Sequence, residues 1–391
     1  MICYSTLSLR SGMKIGKSIY DDDGTLLLGR GMILADIFIQ KLNERGISRI
    51  YIHDDTTEDI VPEENISDIV RGATIRHLRE LFVSLEDLRQ EMRDQSSAAV
   101  VDAIKSEQFQ NTFRNHPTFQ TIQNDAVKIV DELLSGEVTL GLNSIKSYDN
   151  YTFQHSIDVT IVSIMIGRKI GLPQKRLREL GIGCLLHDMG KVFVPLDIIN
   201  KPGKLTPEEF EKMTIHTTIG YELVKGVASI GILPPHVAFQ HHEKQDGSGY
   251  PRGLRGNNRI TFSDEPGIIH LYGSISAVAD VYDALSSDRP YRKALASEKV
   301  IETMYGMCGN HLNLHILRNF FSITPVYPVG STVRIINGEY LNHIGVVVSL
   351  NKSNLDRPVI RLIFGPKKKK IHPIDIDLAT NRKIWIESIM L

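Results

Sequence analysis

A mainly helical protein, with a small α+β module in front and a small β-rich, barrel-like module behind, is the fold class this sequence predicts. Three observations carry that expectation. Between residues 67 and 322 apolar residues recur at helical spacing, as in IRHLRELFVSLEDLRQEM, where they fall at 75, 78, 81, 82, 85, 88 and 92. Residues 1–65 and 323–391 instead hold short β-branched, alternating runs. Each of those regions also contains a hairpin-type dipeptide, Asp23-Gly24 in one and Asn337-Gly338 in the other.

The elements follow in order. Residues 1–65 read as an accessory α+β module in which two β-rich runs flank Asp23-Gly24. Asp36 is placed to cap a helix, IFIQKLNER, that stops at Gly46, and SRIYIHDD follows as a strand. Residues 66–135 read as a helical connector, whose apolar stripe suits packing on a neighbouring helix or a homodimer seam. Residues 136–322 are the main helical domain. Within it Thr206-Pro207-Glu208-Glu209 is a compact helix start, with Thr206 as cap, Pro207 in the first turn and Glu209 completing a capping box. QKRLRELGIGCLLHD reads as a helix running to Gly190, with His187 and Asp188 in its last turn. Residues 323–391 predict three or more strands, and the run Lys367–Lys370 reads as a solvated strand end, since no aromatic residues interleave with it.

Bulk properties narrow the function. At 391 residues the chain has room for two or three domains. A net charge of −1 gives no global attraction to DNA, RNA or anionic membrane. Three scattered cysteines, Cys3, Cys184 and Cys308, fit reduced thiols in the cytoplasm. Neither a signal-peptide pattern nor an apolar run long enough to span a bilayer is expected.

The chemistry lies in one block. His155, His187, Asp188, His216, His241, His242 and Asp280 are five imidazoles and two carboxylates from separate segments. Such nitrogen and oxygen donors suit two divalent ions sharing a carboxylate. Two ions of that kind generate hydroxide and clamp phosphate, which points to phosphoester hydrolysis. An isolated His-Asp pair at a helix end is usually a cap contact, and an isolated histidine beside an aromatic is usually a core residue. An adjacent histidine pair and an aspartate in an apolar helix are costly to bury without a cation, so a shared cluster explains all seven together. Lys191, in HDMGK, can reach a phosphate. In DGSGYP, Gly247 and Gly249 permit turns closed to other residues and Tyr250 offers a hydroxyl or a stacking face; a plain tight turn is the alternative. Arg289 and Arg292, in SSDRPYR, suit either phosphate oxygens or surface ion pairs.

Residues from about 140 to 322 resemble the HD-GYP family, a subset of the HD-domain metal phosphohydrolases. The matching strings are YTFQHS, LLHDMGK, IINKPGKLTPEE, HHEKQDGSGYPRGLRG and VADVYDALSSDRPYR. The resemblance implies an HD-type helical bundle around an iron or manganese centre, whose bridging hydroxide hydrolyses cyclic di-GMP to pGpG or GMP. It implies one ion held by His155, His187, Asp188 and Asp280, and a second by Asp188, His216, His241 and His242. Lys191, Tyr250, Arg289 and Arg292 match substrate-contacting positions, and Asp283 matches a second acid counted with Asp188 and Lys191 as catalytic. Some members bind a third ion through a glutamate where this chain has Tyr151, so two ions are expected. Gly273-Ser274 and the segment 309–317 also depart from the family pattern and carry no functional expectation. Two other readings stay open. One is a silent receptor contacting diguanylate cyclase (GGDEF-type) domains through the Gly-Tyr-Pro loop. The other is a hydrolase of a different cyclic dinucleotide.

Overall fold

Short strands and one helix build the front module. The computed structural model describes residues 1–20, 25–62, 64–92, 95–136, 139–140, 151–227, 229–261, 265–288 and 293–391. Its first strands are β1 (Ile2–Ser5), β2 (Ile19–Tyr20), β3 (Leu26–Leu28) and β4 (Arg49–Ile52), paired antiparallel as β1 with β4 and β2 with β3. Asp23-Gly24 lies outside the described residues, but the strands on either side of it pair as a hairpin requires. Helix α1 (Asp36–Glu44) corrects one detail. Ala35 occupies the cap position without a side-chain hydrogen bond, and Asp36 is the first helical residue. Its charge there still favours the positive end of the helix.

The helices that follow share a single apolar core running from Ile66 to Ile323. Ser67 caps α2 (Asp68–Glu91), accepting from the Val70 N–H at 3.3 Å. The expected stripe of α2 faces inward, with Ile75, Leu78, Leu81 and Leu85 buried and Phe82, Leu88 and Met92 packed at the margin. Helices α3 (Ser97–Lys105), α4 (Glu107–Phe113) and α5 (Thr118–Ser135) complete this half, and α2 packs on α5 and on α6. The remaining helices are α6 (Tyr151–Lys169), α7 (Gln174–Leu185), α8 (Leu196–Ile199), α9 (Pro207–Lys225), α10 (Pro235–Gln240), α11 (Leu271–Ser286), α12 (Ser297–Gly306) and α13 (Leu314–Phe321). The capping box at the start of α9 forms as expected, with Thr206 and Glu209 each satisfying the other's backbone N–H.

The back module is a five-stranded antiparallel sheet of β5 (Thr332–Ile335), β6 (Ile344–Asn351), β7 (Asn354–Phe364), β8 (Lys370–Asp377) and β9 (Ile386–Ser388), in the order β8-β7-β6-β5-β9. It does not close into a barrel, because β8 and β9 remain edges rather than pairing with each other. Alternation along strands reports which face is buried and not whether the sheet closes, which is why the barrel-like expectation fails. Asn337-Gly338 lies in the connection 336–343 between β5 and β6, with Gly338 at φ +80°. Lys367–Lys370 is exposed at the β7–β8 turn, and Lys370 reaches Asp54 at 2.7 Å. The two flanking modules also meet: Ile2 and Ile60 pack on Val346 and Ile363, while Arg361 bonds to both Asp59 and Asp375. Among the described residues, no helix is long and apolar enough to cross a membrane.

Candidate metal centre

Five elements converge where the donors lie. α6 carries His155, α9 carries His216 near its middle, and α11 carries Asp280. α7 ends at Leu185, earlier than the sequence predicts, so His187 and Asp188 sit in the turn between it and a 3-10 turn, Met189–Phe193. His241 caps the end of α10, and His242 follows. Glycine makes this convergence possible at Gly190. A Cβ there would lie 2.0 Å from the His216 carbonyl oxygen and 2.8 Å from the Gly220 nitrogen, so the HD turn rests directly on the α9 backbone.

Most of the histidines are aimed by their far nitrogen. His187 Nδ1 lies 2.7 Å from the Cys184 carbonyl, His216 Nδ1 is 2.6 Å from that of Met213, and His241 Nδ1 is 3.0 Å from that of Ala238. His155 Nδ1 lies 2.7 Å from Asp283 Oδ2 instead. Each of these Nε2 atoms is thereby turned into the site, the arrangement that orients imidazole ligands. His155, His187 and Asp188 form one group able to hold an ion, and His216, His241 and His242 form another.

Asp188 stands between the two groups. Its Oδ2 is 3.5 Å from Nε2 of both His155 and His187, and its Oδ1 is 3.7 Å from Nε2 of both His216 and His241. Asp280 closes the site, with Oδ1 3.2 Å from His155 Nε2 and Oδ2 3.8 Å from His242 Nδ1. Lys191 Nζ reaches Asp188 Oδ2 at 2.5 Å. Among the described residues, two buried atoms of this site, His187 Nε2 and Asp188 Oδ1, find no hydrogen-bond partner. Orphaned buried atoms are costly in a folded protein, and here both belong to donors aimed at one space. The residues therefore fit a metal centre.

Charge agrees with that fit. Burial would raise Asp188, but the fields of His187, Lys191, His155 and His216 outweigh it and hold the carboxyl well below its usual range. Burial lowers His187 to about 4 and His216 to about 3, and pushes His241 and His242 down as well, so these imidazoles are neutral at pH 7. Burial would also lower His155, yet its hydrogen bonds to Asp280 and Asp283 win and push it up to about 9. An ion taken up here would displace that proton. Among the described residues, the Lys191 amine bonds to Asp188 and orients no histidine. Lys191→Ala is accordingly expected to keep the wild-type metal content while kcat falls roughly 10²- to 10³-fold, the cost of one donor aimed at developing charge. Metal analysis beside steady-state kinetics checks this, and loss of metal would mean the lysine was misassigned.

The loop after the histidine pair is held from behind. Glu243, buried, accepts from the Arg252 and Leu254 N–H groups at 2.8 Å each. Segment 309–317, for which the sequence gives no functional expectation, buttresses the loop: the Asn310 and His311 carbonyls accept from the Asp246 and Gln245 N–H groups. No sequence signal distinguishes these supports, because they arise only from the fold. Gly247 has φ +81°, as expected of a turn glycine, but Gly249 is needed for space, since a Cβ there would lie 2.4 Å from the Lys244 nitrogen. Tyr250 is thus set beside the centre, its ring 4.8 Å from that of His242. Asp283 is buried behind His155 and also accepts from the Ser287 hydroxyl at 3.1 Å. Arg289 and Arg292 lie outside the described residues, and nothing is described of the Tyr151 side chain.

Comparison with known proteins agrees with this geometry. Residues 142–316 match the HD domain family. The chain is 31% identical over 348 residues to a cyclic di-GMP phosphodiesterase of Pseudomonas aeruginosa, covering 87% of this chain and 80% of that protein. It is 36% identical over 197 residues to a cyclic di-GMP phosphodiesterase of Thermotoga maritima, covering 49% of this chain and 51% of that protein. A 3'3'-cGAMP-specific phosphodiesterase of Vibrio cholerae is 33% identical over 175 residues, covering 45% of this chain and 38% of that protein. With one relative matched across 80% of its length, and with His187-Asp188 and Gly249-Tyr250-Pro251 meeting at one buried site, the chain belongs to the HD-GYP family of HD-domain proteins.

Proposed function

We propose that this protein is a metal-dependent phosphodiesterase of the cytoplasm that hydrolyses cyclic di-GMP to pGpG, or onward to GMP. The observation that carries the reading is Asp188, whose two oxygens face two separate histidine groups. His155, His187 and Asp280 would hold one divalent ion with Asp188, and His216, His241 and His242 the other. Nitrogen and oxygen donors without thiolate suit hard or borderline divalent ions, and among these the resemblance to the family implies iron first and manganese second. Such a pair of ions supplies hydroxide at neutral pH and offsets phosphate charge.

The chain's own residues do the rest. Lys191 places a point charge beside the phosphate, where negative charge grows during displacement. Tyr250 orients the ring of the substrate from the far side of His242, and Arg289 and Arg292 bind the second phosphate. Asp283 acts through His155, fixing its tautomer and direction, and is a positioning residue rather than a catalytic one.

The names of relatives support two cyclic dinucleotides as substrates, so both belong in the test. Protein purified without oxygen and loaded with iron(II) or manganese is incubated with cyclic di-GMP and, separately, with 3'3'-cGAMP, and the products are separated by chromatography. Accumulation of pGpG or GMP at the higher kcat/KM supports the proposal. Faster cleavage of 3'3'-cGAMP would reassign the substrate, and binding of cyclic di-GMP without turnover would make the protein a receptor.

A further inference from the structure

An apolar ring stands half in water at the edge of the site. Phe210 is 50% exposed although it lies in the first turns of α9, whose other end of the same helix face is core. Its ring meets Tyr250 edge-on, with centroids 5.6 Å apart and planes at 84°. Tyr250 in turn lies 4.8 Å from His242, a metal-ligand candidate. The three rings thus form a path of two steps leading out from the buried donors to the surface.

The turn that carries Phe210 is rigid. The capping box of Thr206 and Glu209 fixes the start of α9 immediately before it. Lys201 adds hydrogen bonds to both Glu209 oxygens, at 2.7 and 2.6 Å. With its backbone held this way and its ring set edge-on against Tyr250, Phe210 loses little freedom when something stacks on it, so it binds at low entropic cost. Aromatic faces take nucleobases of any kind by stacking, because every base has a π-face. Cyclic di-GMP carries its purines one ribose away from each phosphate, which suits a ring set two short steps from His242.

We infer that Phe210 is a binding residue for substrate, a platform on which one purine stacks while a phosphate lies on the metal centre. The inference rests on the proposed reading of the site as a cyclic dinucleotide hydrolase. It adds a contact outside the loop at 246–251 and the arginine segment. Since Phe210 supplies no metal donor and meets the site through the Tyr250 ring, its removal should weaken substrate binding and leave the chemistry intact.

The test compares two substrates on the metal-loaded protein. In Phe210→Ala the KM for cyclic di-GMP should rise roughly 10- to 100-fold, the range that loss of one base stack gives, with kcat nearly unchanged. Metal content and cleavage of bis(p-nitrophenyl) phosphate, which has no purine, should match wild type. Phe210→Trp should restore the KM. It should also gain fluorescence that is quenched on stopped-flow mixing with cyclic di-GMP, over the background of the one native tryptophan, Trp385. An unchanged KM in Phe210→Ala, or equal losses on both substrates, overturns the platform. Failure of the underlying reading shows itself differently: wild-type protein would hold metal and cleave the nitrophenyl diester, yet leave cyclic di-GMP intact.

Discussion

Asp188→Ala is expected to give a folded protein that holds neither ion and does not hydrolyse cyclic di-GMP. Its two oxygens each face two histidines, at 3.5 Å from His155 and His187 and at 3.7 Å from His216 and His241, whereas Asp280 approaches one histidine of each group. Without it, His216, His241 and His242 face an ion as neutral imidazoles, with only the 3.8 Å approach of Asp280 to His242 to offset the charge. Lys191 loses its counter-ion at the same moment. The loss of metal and of its several kcal/mol of charge stabilisation should lower kcat/KM by about 10³-fold or more. Mass-spectrometric metal analysis and a thermal melt decide the case. Two full equivalents of metal in the variant would sink the bridging role, and a collapsed melt would show that the carboxylate serves the fold instead. Asp188→Asn separates charge from shape: it keeps one oxygen acceptor at the same place, and it should retain at most one ion.

Much of this site is legible before any coordinates, because its chemistry is expensive to bury. Five imidazoles and two carboxylates in apolar surroundings need a common partner, and all seven do converge. The start of α9 is equally legible, since a capping box is a local device that four residues specify alone. Other parts depend on where distant segments meet. That Asp283 stands behind His155, that Glu243 pins the loop, and that Asn310 and His311 support it are facts of tertiary contact with no local signature. The end of α7 is misplaced for a related reason: a turn held against α9 by packing replaces the helical turn that local preference favours. Closure of the back sheet likewise turns on whether its two edge strands meet, which alternation along each strand does not encode.

Gly190→Ala is the second substitution expected to have a large effect, although position 190 touches no ion. In HDMGK a glycine after a histidine-aspartate pair reads as a helix stop, but its φ is not in the left-handed region and its role is space. The added Cβ would stand 2.0 Å from the His216 oxygen, 2.7 Å from the His216 carbon and 2.8 Å from the Gly220 nitrogen. All three are backbone atoms of one helix, so no side chain can swing aside. The HD turn must move off α9, carrying His187 and Asp188 away from His216. Such overpacking costs about 3 kcal/mol or more, and a displacement of about 1 Å within a catalytic constellation lowers rate by roughly 10²-fold. Unlike Asp188→Ala, this variant keeps every donor, so it should bind metal weakly rather than not at all, and raising the metal concentration should recover part of the activity. Gly306→Ala is the control, because a Cβ at the end of α12 meets nothing within 4 Å. If Gly190→Ala melted and turned over like Gly306→Ala, the close contact between the HD turn and α9 would not be what sets the distance between the two halves of the metal centre.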